Sequence, residues 1–219
     1  MKIFINFIHN SKVKRTFIIL ILLCIFILIS AISYVDAVST DIANSVFRLH
    51  VIANSDSVED QNLKYKVRDS LLEYMNFISE NCTSKEEIIK LAKNHTEEFH
   101  DIAKQVISEN GYDYDVNINI GNFDFPTKDY GDISFPAGSY DALRVEIGNA
   151  SGQNWWCVMF PPLCFVDVSS GIVPDESKEV IQDSLTDEEY NIISNQSKPD
   201  IKFKFSLIEI FQSLRMANK

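Results

Sequence analysis

The stretch FIILILLCIFILI, Phe17 to Ile29, constrains this chain more than any other. A helix apolar on every side has no wet face to turn outward in a soluble protein. It follows a head, MKIFINFIHNSKVKR, that carries Lys2, Lys12, Lys14 and Arg15 and no acid. A basic head before an apolar run is the pattern of a secretory signal or an N-terminal membrane anchor. The strict run is shorter than the ~20 residues of a bilayer span, and Ala31, Ile32 and Val35 lengthen it, so that a tether would use residues 17–35. Val35-Asp36-Ala37 offers a small-residue cleavage site before Val38, so the segment is either removed there or kept as an anchor. Positive charge before the span holds the N-terminus inside and sends the remainder outward. The expected organisation is residues 1–37 as cytoplasmic head and signal or anchor, and residues 38–219 as one exported domain with a real core.

Export makes the charge balance informative. With the four basic residues of the head set aside, sixteen basic residues oppose thirty-one acidic ones, a net charge of −15. Such a surface repels nucleic acid and anionic headgroups, and no basic patch or Gly-rich phosphate loop offsets it. No nucleic-acid partner is expected.

The exported part alternates between helical and strand periods. VFRLHVIA (Val46–Ala53) alternates as a strand with one well-buried face. Ser57 with Asp60, or Asp56 with Glu59, forms a capping box for a helix reaching about Glu80, and that box accounts for all three acids. A second box at Ser84 opens another helix, which runs to a stop at Gly111. Tyr112 to Ile120 alternates as a strand with one wet face. The aromatic stretch Gly121–Tyr140 reads as a folded excursion, since disorder needs low hydrophobicity. ALRVEIG (Ala142–Gly148) and WWCVMF, joined by NASGQN, read as a β-hairpin that Pro161-Pro162 interrupts. LCFVDV then extends again. Thr186 starts one short helix. FSLIEIFQSLRMANK is amphipathic through Leu207, Ile210, Phe211 and Leu214, a stripe that either packs on the sheet, the commoner fate, or faces a partner or membrane. The fold class is α+β, with a mainly antiparallel sheet and two or three packed helices behind the N-terminal signal or anchor helix.

The candidate chemistry thins out on inspection. Cys157 as a nucleophile would need a base, and His50 is on a strand that could neighbour it, but WWCVMF reads as a strand interior without a strained turn. Cys157 and Cys164 form a C-x6-C pair, not a redox C-x-x-C. They are either a structural disulfide or two buried thiols. His95 and His100 lie five apart, not at the three or four of helical metal ligands. No metal, no cofactor and no catalytic residue are expected. A secreted cysteine hydrolase or thiol enzyme using Cys157 is the alternative.

Three stretches together carry a resemblance: FRLHVIANSDSVEDQNLKYKVRDSLLEYM, FPAGSYDALRVEIG and NWWCVMFPPLCFVDV. They resemble the stage II sporulation protein R family of endospore-forming bacteria, over about Val46 to Val168. The turn GNASG departs from the more acidic, Gly-richer turn of that family. The resemblance implies a signalling protein, made in the forespore and exported into the space between the two septal membranes. It would be needed there to activate a membrane-embedded aspartic protease of the mother cell, which processes a sigma-factor precursor. It implies a partner and no enzyme activity. The residues suited to the contact are Trp155, Trp156, Phe160, Pro161 and Pro162, aromatics bracketing a ladder break. At least one of the adjacent tryptophans must face inward on a strand, and the excursion Phe123–Tyr140 is a second surface of the same kind.

Overall fold

The computed structural model describes residues 11–164, 173–194 and 199–217. The chain divides into two compact units, Met1–Val38 and Ser39–Lys219. The first holds most of helix α1 (Ser11–Asn44), whose side chains from Phe17 to Ile29 are exposed. By length and composition this helix can cross a membrane.

The second unit is built on a four-stranded sheet in the order β2-β5-β1-β6, with β1 at Phe47–Ile52, β2 at Val116–Phe125, β5 at Gly138–Ile147 and β6 at Asn154–Phe160. β1 runs parallel to β5, and the other two pairings are antiparallel. A ribbon of β3 (Lys128–Tyr130) and β4 (Ile133–Phe135) forms within the aromatic excursion, which is folded as its hydrophobicity requires. The α+β class with a mainly antiparallel sheet is the architecture found.

Two strand assignments change. β5 and β6 do not form a hairpin; they flank β1, and the connection between them passes the end of that strand. β1 is buried at all six positions, because the aromatic rings of β2, β5 and β6 cover its Arg48 and His50 as fully as helices cover Leu49 and Val51. β2 begins at Val116 rather than Tyr112. Tyr112 and Tyr114 precede it and stack on each other at 5.1 Å.

Helix α2 (Val58–Ile78) starts as its sequence dictates, with the Ser57 side chain accepting from the Asp60 amide. The helix expected from Ser84 to Asn110 is two: α3 (Lys85–Asn94) and α4 (Thr96–Glu109), parted at His95. Thr96 Oγ1 bonds the Ala92 and Lys93 carbonyls, side-chain competition that favours an interruption there. Both pieces keep their apolar stripe inward, through Ile88 and Ala92, then Phe99, Ala103 and Ile107.

Toward the C-terminus, α5 (Asp175–Ser184) was not evident from the polar sequence. α6 (Asp187–Ser194) follows a full capping box, in which Glu189 accepts the Thr186 amide and Thr186 Oγ1 accepts the Glu189 amide. Helix α7 (Pro199–Ala217) buries the face opposite its amphipathic stripe, so the second of the two expected fates, outward presentation, is the one found. Ile201, Phe205, Ile208 and Gln212 turn inward, whereas Leu207, Ile210 and Leu214 are exposed. Gln212 is buried with the inward residues and donates to Ser39 Oγ at 2.5 Å. The extended reading of Phe165–Val168 lies outside the described residues.

Candidate functional site

Strand β6 and the two loops beside its start bring the motif residues together. The loop after β1, residues 53–57, lies against the loop 148–153. Asn54 Oδ1 accepts the Asn149 amide at 2.9 Å, and the Asn54 carbonyl accepts the amide and hydroxyl of Ser151. Asp56 Oδ1 accepts the Gln153 amide at 2.7 Å. Lys64 Nζ on α2 donates to the Gln153 carbonyl at 3.1 Å and to Gln61 Oε1. Two glycines permit this approach. A Cβ on Gly152 would stand 2.2 Å from the Ser55 carbonyl oxygen, and one on Gly148, at φ +56, 2.4 Å from Asn54 Oδ1.

Asp60 shows that capping does not account for the acids fully. Its carboxylate is buried and accepts from Asn54 Nδ2 at 2.8 Å and Ser55 Oγ at 2.5 Å. Burial alone would raise this carboxyl, but the hydrogen bonds from Ser55 and Asn54 outweigh it and hold the group below the ordinary carboxylate range. Asp60 therefore braces the loop from which Asn54 holds residues 149 and 151.

The tryptophans fall on opposite faces, as adjacent strand residues must. Trp155 lies against α2, edge-on to Tyr65 at 5.4 Å, with the Arg68 guanidinium 4.3 Å from its ring. Trp156 lies on the other face, stacked on His50 at 3.5 Å and edge-on to Phe125 at 4.7 Å. Both are half-buried. Phe160 is half-buried too, Pro161 is buried and Pro162 is exposed. The site residues thus share one strand and its end without sharing one surface.

His50 is 4 % exposed, and Nε2 donates to Asn154 Oδ1 at 2.7 Å, since that oxygen only accepts. Burial pushes its pKa down to about 4, against the Asn154 hydrogen bond and with the help of the Arg144 charge. His50, Trp156, Phe123 and Arg144 line a concavity of about 350 Å³ on this face.

Cys157 pairs in register with Leu49, whereas His50 pairs with Trp156, so the cysteine and the imidazole point to opposite sides of the sheet. Cys157 and Cys164 are joined as a disulfide, with Cα atoms 5.0 Å apart. This arrangement offers no thiolate and no base beside it. His95 Nδ1 bonds the Tyr74 hydroxyl at 2.8 Å and His100 adjoins Asp101, so the two histidines have separate partners. Sequence reasoning missed the loop pair, and the two glycines of GNASGQ were its only local signal.

A family model described as Stage II sporulation protein R matches residues 43–170. Stage II sporulation protein R of Bacillus subtilis (strain 168) is 35 % identical over 185 residues, covering 79 % of this chain and 83 % of that protein. No solved structure matches.

Proposed function

The chain belongs to the stage II sporulation protein R family, and from that premise we propose that it serves sporulation as an exported signalling protein that is not itself an enzyme. Forespore synthesis, export through α1 into the intermembrane space, and docking on a membrane-embedded aspartic protease of the mother cell are the steps of this reading. Docking switches the protease on, and the protease then processes a sigma-factor precursor. The carrying observation is the span of the family match. It encloses the whole four-stranded sheet, the loop pair and helices α2 to α4, which is the part of the domain that carries β6 and its neighbours.

The burial of Cys157 in a disulfide supports an activator over a thiol hydrolase. Trp155, Trp156, Phe160 and Pro162 supply half-buried or exposed apolar area at the end of β6, the kind of anchor that an interface uses. The test is processing of the sigma-factor precursor in sporulating cells that lack this chain. Processing stops without it and returns with the wild-type chain. Return with Cys157→Ser and Cys164→Ser together, given normal abundance, separates activator from thiol enzyme.

A further inference from the structure

The two edges of the sheet are finished differently, and the difference points to a binding site. The β6 edge is closed. Its Trp156 carbonyl takes the Tyr130 hydroxyl at 3.3 Å, its Val158 carbonyl takes the Leu163 amide at 3.1 Å, and prolines follow. The β2 edge is open. It pairs with β5 over ten consecutive residues without a register shift, and it carries no proline or lysine.

The Asp115 carbonyl accepts the Gly148 amide at 2.8 Å, so residues 115, 117, 119 and 121 turn their backbone groups toward β5. Antiparallel alternation then turns those of Val116, Ile118, Ile120 and Asn122 outward, and among the described residues these outward groups have no partner. A long regular edge of this kind is a template for another strand.

Beside it runs a groove of about 380 Å³ between β2 and α4, lined by Glu97, His100, Asp101, Val116, Asn117 and Ile118 among others. The lining holds two carboxylates and no lysine or arginine. In a domain of net charge −14 (sixteen basic and thirty acidic residues over 38–219), that favours a basic partner over a second copy of this chain.

We propose that the free edge of β2 and its groove with α4 bind an extended, basic polypeptide segment of a partner by strand addition. Main-chain hydrogen bonds to Ile118 and Ile120 give the affinity, and lysine or arginine side chains on alternate positions meet Glu97 and Asp101. The site is separate from the β6 surface and does not depend on the receptor reading.

The test uses the full-length protein in detergent micelles and a capped nonapeptide of alternating lysine and threonine. In the free protein, the Ile118 and Ile120 amides exchange with deuterium at least ~100-fold faster than those of Asn117 and Asn119, because only the latter pair with β5. The peptide slows Ile118 and Ile120 selectively. Ile118→Pro keeps the fold, since the lost amide points outward, and weakens binding ~10-fold or more. The same peptide N-methylated at alternate residues keeps its charge and loses binding, a control that needs no protein variant. Equal binding of the N-methylated or of a glutamate–threonine peptide overturns the proposal, as does protection outside β2 or no binding at all. Protection of Ile118 and Ile120 by self-association without peptide overturns the choice of occupant.

Discussion

Arg48 Nη2 on β1 donates a 2.9 Å hydrogen bond to the Tyr130 hydroxyl, tying the centre of the sheet to the β3–β4 ribbon 82 residues away. The guanidinium is fully buried and meets no carboxylate among the described residues. It lies instead 4.2 Å from the Phe125 ring and 4.6 Å from Tyr140. Ring faces and one phenol oxygen thus replace water around a cation that would otherwise be costly to bury. Tyr130→Phe removes that oxygen and leaves the charge in place. The variant should lose ~2 kcal/mol, the range for a hydrogen bond to a charged group, read as a lower urea midpoint with an unchanged slope.

The loop pair should fail through one methyl group. Gly152→Ala puts a Cβ against the Ser55 backbone, which cannot move aside as a side-chain end can. A loss of ~1–3 kcal/mol is expected, as for other overpacked sites. Ser57→Ala should lose only ~1 kcal/mol in the same urea titration, because it removes a cap and leaves the loop contact intact.

His50 gives stability a dependence on pH. Its pKa is about 4 in the folded protein and near 6.5 when unfolded, so below 6.5 the unfolded chain takes up a proton that the folded chain refuses. The stabilisation is complete above pH 6.5, declines as pH falls, and is gone below about 4, a total of ~3 kcal/mol. Thermal melts of His50→Gln should show a flatter decline across that window than the wild type.

The disulfide between Cys157 and Cys164 closes a short loop that holds the end of β6. Either serine variant should lose ~2 kcal/mol, and the double variant no more than the worse single one, because the bond is a single unit. Unequal losses in the two single variants, or additive losses in the double one, would indicate separate roles for the two thiols.

The fold was legible where period and caps agree. Ser57, Ser84 and Thr186 each mark a helix start that the structure contains, and the alternation of β1 and β5 is plain in the sequence. Partner choice between strands was not legible. NASGQN looks like a hairpin turn, but nothing local states that β1 comes between the strands it joins. Arg48 and His50 misled because polar residues signal a wet face, and here distant rings cover them. On α7, the buried face begins at Ile201, Phe205 and Ile208 and ends on Gln212 bonded to Ser39, a polar position that hides the continuity of that face in the sequence. At the site, adjacent tryptophans announced opposite faces, whereas the contacts of Asn54 with residues 149 and 151 join positions 95 and 97 residues apart.

The central claim, activation by docking without catalysis, is tested most directly by reconstitution. The full-length chain is added to vesicles holding the mother-cell protease and its sigma-factor precursor, and cleavage is followed over time. The account predicts cleavage that rises with added chain, persists in the Cys157→Ser/Cys164→Ser double variant at a temperature where it remains folded, and falls ~10-fold or more in Trp155→Ala/Trp156→Ala. Cleavage that never depends on the added chain, or that vanishes in the folded double cysteine variant, would contradict it.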